Sequence, residues 1–197
     1  MKLAIFSGSH RKNSQSAKVG EYIKNNAGKF TQVTHTELAD KQLPFWDASE
    51  NRGPYWNELV HEVEQADALV LITPEWNGMA SPLLKNFLMM LPNKATAHKP
   101  VVFTSVSSGI SGAYPIAELK LDGTKNNKLL PLPDYLIVRS VEDVLNEDEH
   151  SNHDHQIRGR IGYSLHTLHC YAQALTPMRE QLLLNPFPNQ ENYSFGM

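Results

Sequence analysis

The sequence predicts one α/β domain built in three layers, with a five-stranded parallel sheet between helices on both faces. Short apolar runs alternate with stretches of helical periodicity from Lys2 to Val138. Those runs are mostly continuous rather than alternating, as in strands buried on both faces. The segments between them are long enough for the right-handed helical crossovers that join parallel neighbours.

The first run, residues 3–6, stops at Ser7-Gly8-Ser9 and reads as a buried strand feeding a tight loop. Ser14 or Ser16 then caps a helix to about Asn26, with Ala17, Val19, Tyr22 and Ile23 at helical spacing. Residues 31–38 alternate and are rich in Thr and Val, which predicts a second strand near an edge. Tyr55, Leu59, Val63 and Ala66 mark a second helix. It leads into Ala68-Leu69-Val70-Leu71-Ile72, the clearest buried strand of the chain. Pro82 sits where a proline opens a helix, which reaches about Leu91. Val101-Val102-Phe103 forms the next strand, a helix follows to about Leu121, and residues 135–138 make the fifth strand. Residues 142–155 are acidic, contain histidines and lack apolar periodicity, so they read as an exposed connection or lid. A last helix carries Ile157, Ile161, Leu165, Leu168, Ala172 and Leu175, and Pro177 is expected to bend or end it. One domain over residues 1–184 and an irregular tail over 185–197 follow from this pattern.

Composition narrows the function. The formal charge of −3 argues against a nucleic-acid binder, which would cluster Lys and Arg against phosphates. Cys170 is the single cysteine, so no internal disulfide forms, and a reducing, cytoplasmic setting is expected. The first apolar run turns polar at Ser7, too early for a secretory signal, and no run approaches the roughly 20 residues of a membrane-spanning helix. His150, His153 and His155 lie among acidic residues, but spacing alone does not converge three imidazoles, and a solvated loop without metal is the expectation. His166 and His169 share a helix face as surface or subunit-contact residues, and Cys170 reads as a packed thiol.

Ligands of open parallel sheets sit beyond the carboxyl ends of the strands, which directs attention to three loops. The first, residues 7–16, offers small residues, several hydroxyls, a helix start and Arg11, together a site for phosphate. Neither Gly-x-Gly-x-x-Gly nor Gly-x-x-x-x-Gly-Lys-Ser/Thr occurs, which disfavours dinucleotide and nucleoside-triphosphate loops. In the second, residues 73–86, Pro74 stiffens the chain, Gly78 permits a turn and Trp76 offers a flat apolar surface for a planar heterocycle. The third, residues 105–112, is again rich in small residues that allow close backbone approach.

Gly8-Ser9-x-Arg11-x-x-Ser14-x-Ser16, then Pro74-Glu75-Trp76-Asn77-Gly78 running on to Leu84-Lys85-Asn86, and the small-residue loop 107–112 together resemble the NADPH-dependent FMN reductase family. That family includes flavin, quinone, azo-dye and chromate reductases. The resemblance runs from Lys2 to about Val138 and implies a flavodoxin-like three-layer sandwich. It further implies that Ser9, Arg11, Ser14, Gln15 and Ser16 hold the FMN phosphate, while Pro74, Glu75, Trp76, Asn77, Gly78, Ser107 and Gly109 border the isoalloxazine ring. By the same resemblance the flavin carries the chemistry, with no catalytic side chain of its own required. NADPH or NADH would donate hydride to it, and a small acceptor such as a quinone, free flavin or azo compound would take the electrons. Backbone N–H groups of 76–78 and 107–109 are the candidate donors to the reduced ring. A homodimer or homotetramer is implied, with Tyr55, Trp56 and residues 87–91 available for the contact. This chain departs from the family pattern in carrying Trp76 where Tyr is common and Phe87-Leu88-Met89 after Leu-Lys-Asn. The alternative reading is a flavodoxin-type electron carrier that does not turn over pyridine nucleotide.

Overall fold

The computed structural model describes residues 1–147 and 151–193. Strands β1 (Lys2–Ser7), β2 (Gln32–Glu37), β3 (Ala68–Pro74) and β4 (Pro100–Val106) form a parallel sheet in the order β2-β1-β3-β4. The far edge of β4 is shared by two short parallel strands. β5 (Leu130–Pro131) pairs with its first residues, and β6 (Leu136–Val138) pairs with Thr104, Ser105 and Val106. The expected fifth strand is therefore present as β6, and β5 is an addition too short for any periodicity to mark.

Side chains alternate across a strand, and this divides the core between two faces. Leu3, Ile5, Val70, Ile72 and Val102 face α1 (Gln15–Asn26) and α6 (Asn152–Leu184). Ala4, Phe6, Leu69, Leu71 and Phe103 face α2 (Trp56–Gln65), α3 (Pro82–Met90) and α5 (Ala113–Thr124). A one-turn helix, α4 (Asn93–Thr96), precedes β4. Each run of β3 and β4 is buried along its full length, because helices cover both sides. β2 lies at the edge and is only partly buried, as its alternating sequence predicts.

Helix boundaries follow local chemistry. The Ser14 hydroxyl caps α1 by accepting from Ala17 N–H, and Ser81 caps α3 in the same way through Leu83 N–H, with Pro82 at its first position. Residues 87–91, expected as a possible subunit contact, belong largely to the chain's own core, because Phe87, Leu88, Met90 and Leu91 turn inward and Met89 alone faces out.

The structure refines the expectations for the carboxyl-terminal third. Segment 142–155 is exposed over most of its described length, as expected, but it is pinned to the body of the domain at three buried residues rather than standing free as a lid. Val144 and Leu145 are buried, Lys18 Nζ donates to the carbonyls of Val141 and Val144, and the buried Asp154 carboxylate accepts from Leu145 N–H and Arg158. His150 lies outside the described residues, whereas His153 and His155 occupy the first turn of α6. Of the two outcomes expected at Pro177, a bend or an end, the end does not occur, because the helix continues to Leu184. Only one intrahelical bond is lost at a proline, and Ile161, Leu165, Leu168 and Ala172 already anchor the preceding turns against the sheet. Cys170 is exposed rather than packed, its Sγ 4.0 Å from His166 Nε2 on the outer side of α6. No helix among the described residues is long and apolar enough to cross a membrane.

Candidate functional site

The strand order places the ends of β1, β3, β4 and β6 side by side, so the loops following them meet at one pole of the sheet. Backbone hydrogen bonds lock them together. Gly8 N–H donates to Ile72 O at 2.8 Å, and Glu75 N–H donates to Val106 O at 2.8 Å. Ser81 Oγ donates to Gly8 O at 2.5 Å, which fixes the loop after β3 to the loop after β1.

In the first loop, Ser9 is buried and its hydroxyl accepts from Arg11 N–H at 3.0 Å. The first N–H groups of a helix have no intrahelical acceptor. Ser14 takes that of Ala17, which leaves those of Gln15 and Ser16 to face the loop. Ser16 is 1 % exposed and its hydroxyl has no hydrogen-bond partner. A buried hydroxyl without a partner is costly, and at the positive end of α1 an anionic oxygen is the group that would satisfy it. Arg11 is exposed, with its guanidinium 5.5 Å from the centre of the Trp76 ring, and His10 stacks on the same ring at 5.7 Å. The aromatic surface predicted in the second loop thus meets Arg11, predicted in the first, and also His10, which the sequence did not single out.

The second loop is a two-residue reversal. Trp76 and Met79 exchange N–H···O bonds at 3.2 and 3.0 Å, and Asn77 and Gly78 between them have φ of 53° and 74°. This is the twist that Asn-Gly adopts most readily. Pro74 is buried at the end of β3, and Glu75 and Trp76 are half-buried at the rim.

In the third loop, Ser107 is buried, its N–H donates to Val138 O, and its hydroxyl accepts from Gly109 N–H at 3.2 Å. A side chain added at Gly109 would meet nothing within 4 Å, so there is open space beside this backbone. Of the backbone donors expected to serve a ligand, Trp76, Ser107 and Gly109 N–H are therefore already engaged within the chain. Asn77, Gly78 and Ser108 N–H remain.

Sequence reasoning missed two side chains. Ser111 Oγ donates to Glu75 Oε1 at 2.7 Å, while Arg139 Nε donates to Ser111 O at 2.8 Å. This chain of bonds ties the ends of β3, β4 and β6 together. Arg139 immediately follows β6, and the rule that ligands gather at strand ends would have pointed to it. No group of three or more His, Cys, Asp or Glu side chains is placed to hold a metal among the described residues.

A family model, NADPH-dependent FMN reductase, matches residues 1–143. The chain belongs to that family. An NADPH azoreductase from Bacillus sp. (strain OY1-2) is 33 % identical over 114 residues, a span of 57 % of this chain and 62 % of the relative. A quinone reductase from Escherichia coli (strain K12) is 34 % identical over 113 residues, or 53 % of this chain and 59 % of the relative. The chain thus spans about three fifths of the length of these curated relatives. Among solved structures, an oxidoreductase from Corynebacterium diphtheriae superposes with a TM-score of 0.72 at 15 % identity, covering 88 % of this chain and 97 % of the other. A flavoenzyme NAD(P)H:(acceptor) oxidoreductase from Paracoccus denitrificans gives 0.67 at 19 % identity, covering 88 % and 98 %. At such identities these two structures establish the flavodoxin-like fold.

Proposed function

We propose that this chain binds FMN across the three strand-end loops and acts as an NAD(P)H-dependent reductase of small acceptors. The observation that carries the proposal is the Ser16 hydroxyl, buried and unpartnered at the start of α1, in the group of strand-end loops that also brings Arg11 against Trp76 and leaves open space at Gly109. These residues fit FMN: an anion site at the helix start, an aromatic wall and uncommitted backbone donors. In the proposed complex, Ser9, Ser14, Gln15 and Ser16 surround the phosphate, with Arg11 reaching it from the rim. Pro74, Glu75, Trp76, Asn77, Gly78, Ser107 and Gly109 border the ring. Bound FMN would supply the redox chemistry, accepting hydride from a reduced nicotinamide and passing two electrons onward.

The protein's own part is positioning. The Ser111 hydroxyl holds the Glu75 carboxylate, and Arg139 holds the Ser111 carbonyl, so the second and third loops keep a fixed separation. Asn77, Gly78 and Ser108 N–H supply dipoles for negative charge on the ring. Ile110, 90 % exposed, together with the exposed Met79 and Tyr114, leaves an apolar open side on which nicotinamide and acceptor would stack in turn. The azoreductase and quinone reductase names of the relatives support an azo compound or a quinone as acceptor.

Titration with FMN and with FAD tests the phosphate assignment. FMN should bind more tightly, and Arg11→Ala should weaken it about 10–100-fold, from roughly 1.5–3 kcal/mol for a hydrogen bond to a charged group. An unchanged dissociation constant removes Arg11 from the site.

We also propose that a second copy of the chain covers the outer side of α3 and α5. These helices are joined by Lys85 with Glu118 and Asp122, and beside that network Met89 and Leu121 are 57 % and 76 % exposed. Sedimentation should show a dimer or tetramer at micromolar concentration, and a monomer there rejects the contact.

A further inference from the structure

A large cavity lies at the opposite pole of the sheet from the loops described above. Its volume is about 700 Å³, and it is enclosed by α4, the segment entering β4, the end of α6 and the tail beyond it. β4 separates the two poles. Its seven residues extend roughly 20 Å at about 3.3 Å per residue.

The lining gathers basic side chains. Lys94, His98, Lys128 and Arg179 converge on the cavity. Arg179 is half-buried. Its Nε donates to Ala97 O at 3.0 Å. Asp67 and Glu180 raise its pKa from a distance, but burial outweighs them and lowers it. Guanidinium nevertheless stays charged. His98 is held below its ordinary value by burial first, then by Lys128 and Arg179, which presents a neutral imidazole among cations. His98 and Lys128 both take the left-handed backbone, with φ of 62° and 52°, and His98 N–H donates to Lys128 O at 2.7 Å.

The remaining wall is apolar. Leu183, Phe187 and Tyr193 are each more than 60 % exposed, and the rings of Phe187 and Tyr193 meet edge-on at 5.9 Å. Lys128 Nζ donates to Tyr193 O at 2.8 Å and fixes this wall beside the cations. Like charges gathered around a partly desolvated space repel one another, and an anion placed among them relieves that repulsion.

We propose that this cavity is a second ligand site, taking a small organic anion with an apolar body. The acidic head would lie between Arg179, Lys128 and Lys94, and the body against Leu183, Phe187 and Tyr193. The site is independent of the flavin loops, so its occupancy does not depend on the reading of those loops.

Calorimetric titration of the full chain with 1-naphthoate tests it, with FMN in excess so that the strand-end loops do not compete. Neutral 1-naphthalenemethanol serves as the uncharged comparison. One naphthoate per chain should bind at least tenfold more tightly than the alcohol. Arg179→Met should weaken naphthoate at least tenfold. Lys94→Glu alters an exposed side chain that anchors no backbone in the structure, and should weaken naphthoate at least threefold while leaving FMN affinity unchanged. Equal affinity for the two compounds, no binding of naphthoate at millimolar concentration, or unchanged naphthoate affinity in Lys94→Glu overturns the proposal.

Discussion

Gly112→Ala is expected to lower stability by about 2–5 kcal/mol and the melting temperature by about 5–15 °C. Gly112 caps α5 with φ of 111°, a conformation that an L side chain rarely adopts. A Cβ there would also overlap Ile137 Cγ2, in the strand beside β4. Backbone strain and overpacking therefore act at one position. The preceding residue is Ser111, whose hydroxyl and carbonyl tie Glu75 and Arg139. Relief of the overlap must displace that loop, so FMN affinity should fall together with stability. Thermal unfolding followed by circular dichroism checks this, and a melting temperature within about 2 °C of the parent would refute it.

A second large effect concerns Lys99, which is completely buried. Its Nζ donates to Val63 O and Glu64 O, capping the carboxyl end of α2. Burial lowers its pKa from 10.5 to about 7, assisted by Arg179 and opposed by Asp67 and Glu64. A neutral amine keeps two N–H donors and so can retain both bonds. The unfolded chain holds the Lys99 proton up to about pH 10.5, whereas the folded chain releases it near pH 7. Between those values the unfolded state binds more protons, and stability contributed by this residue rises with pH. Each pH unit contributes at most about 1.4 kcal/mol. Denaturant unfolding of the parent and of Lys99→Met should therefore diverge, the parent gaining about 3 kcal/mol relative to the variant from pH 7 to pH 10. Parallel stability curves across that window would show that Lys99 keeps its proton in the folded chain.

Much of this architecture was legible in the sequence because the signals were local. Continuous apolar runs announce β3 and β4, since strands covered on both faces have no polar side to reveal. Ser14 and Pro82 announce their helices, since a cap or an opening proline acts within the first turn. What escaped depends on distant partners. β5 exists only because two residues meet the start of β4. Asp154 looks like one acid in a solvated run, yet it is buried because Leu145 N–H and Arg158 both turn toward it. At the candidate site, loop composition picked out segments that the fold brings to one pole of the sheet, but not the state of their donors. Trp76 N–H is consumed by a turn, and Arg139 enters only through the pairing of β6 with β4. Cys170 faces outward because the apolar stripe of α6 passes through Leu165, Leu168 and Ala172, a phase that one residue cannot disclose.

The most direct test of the central claim is the anaerobic absorbance spectrum of the FMN-loaded protein during addition of NADPH. The oxidised flavin band should disappear in a single two-electron phase, and it should return when a quinone is added, because the strand-end loops would hold the ring with one face open to both partners. Failure of both NADPH and NADH at millimolar concentration to bleach the band, while dithionite reduces it, would contradict the reductase reading and leave a flavodoxin-type electron carrier in its place.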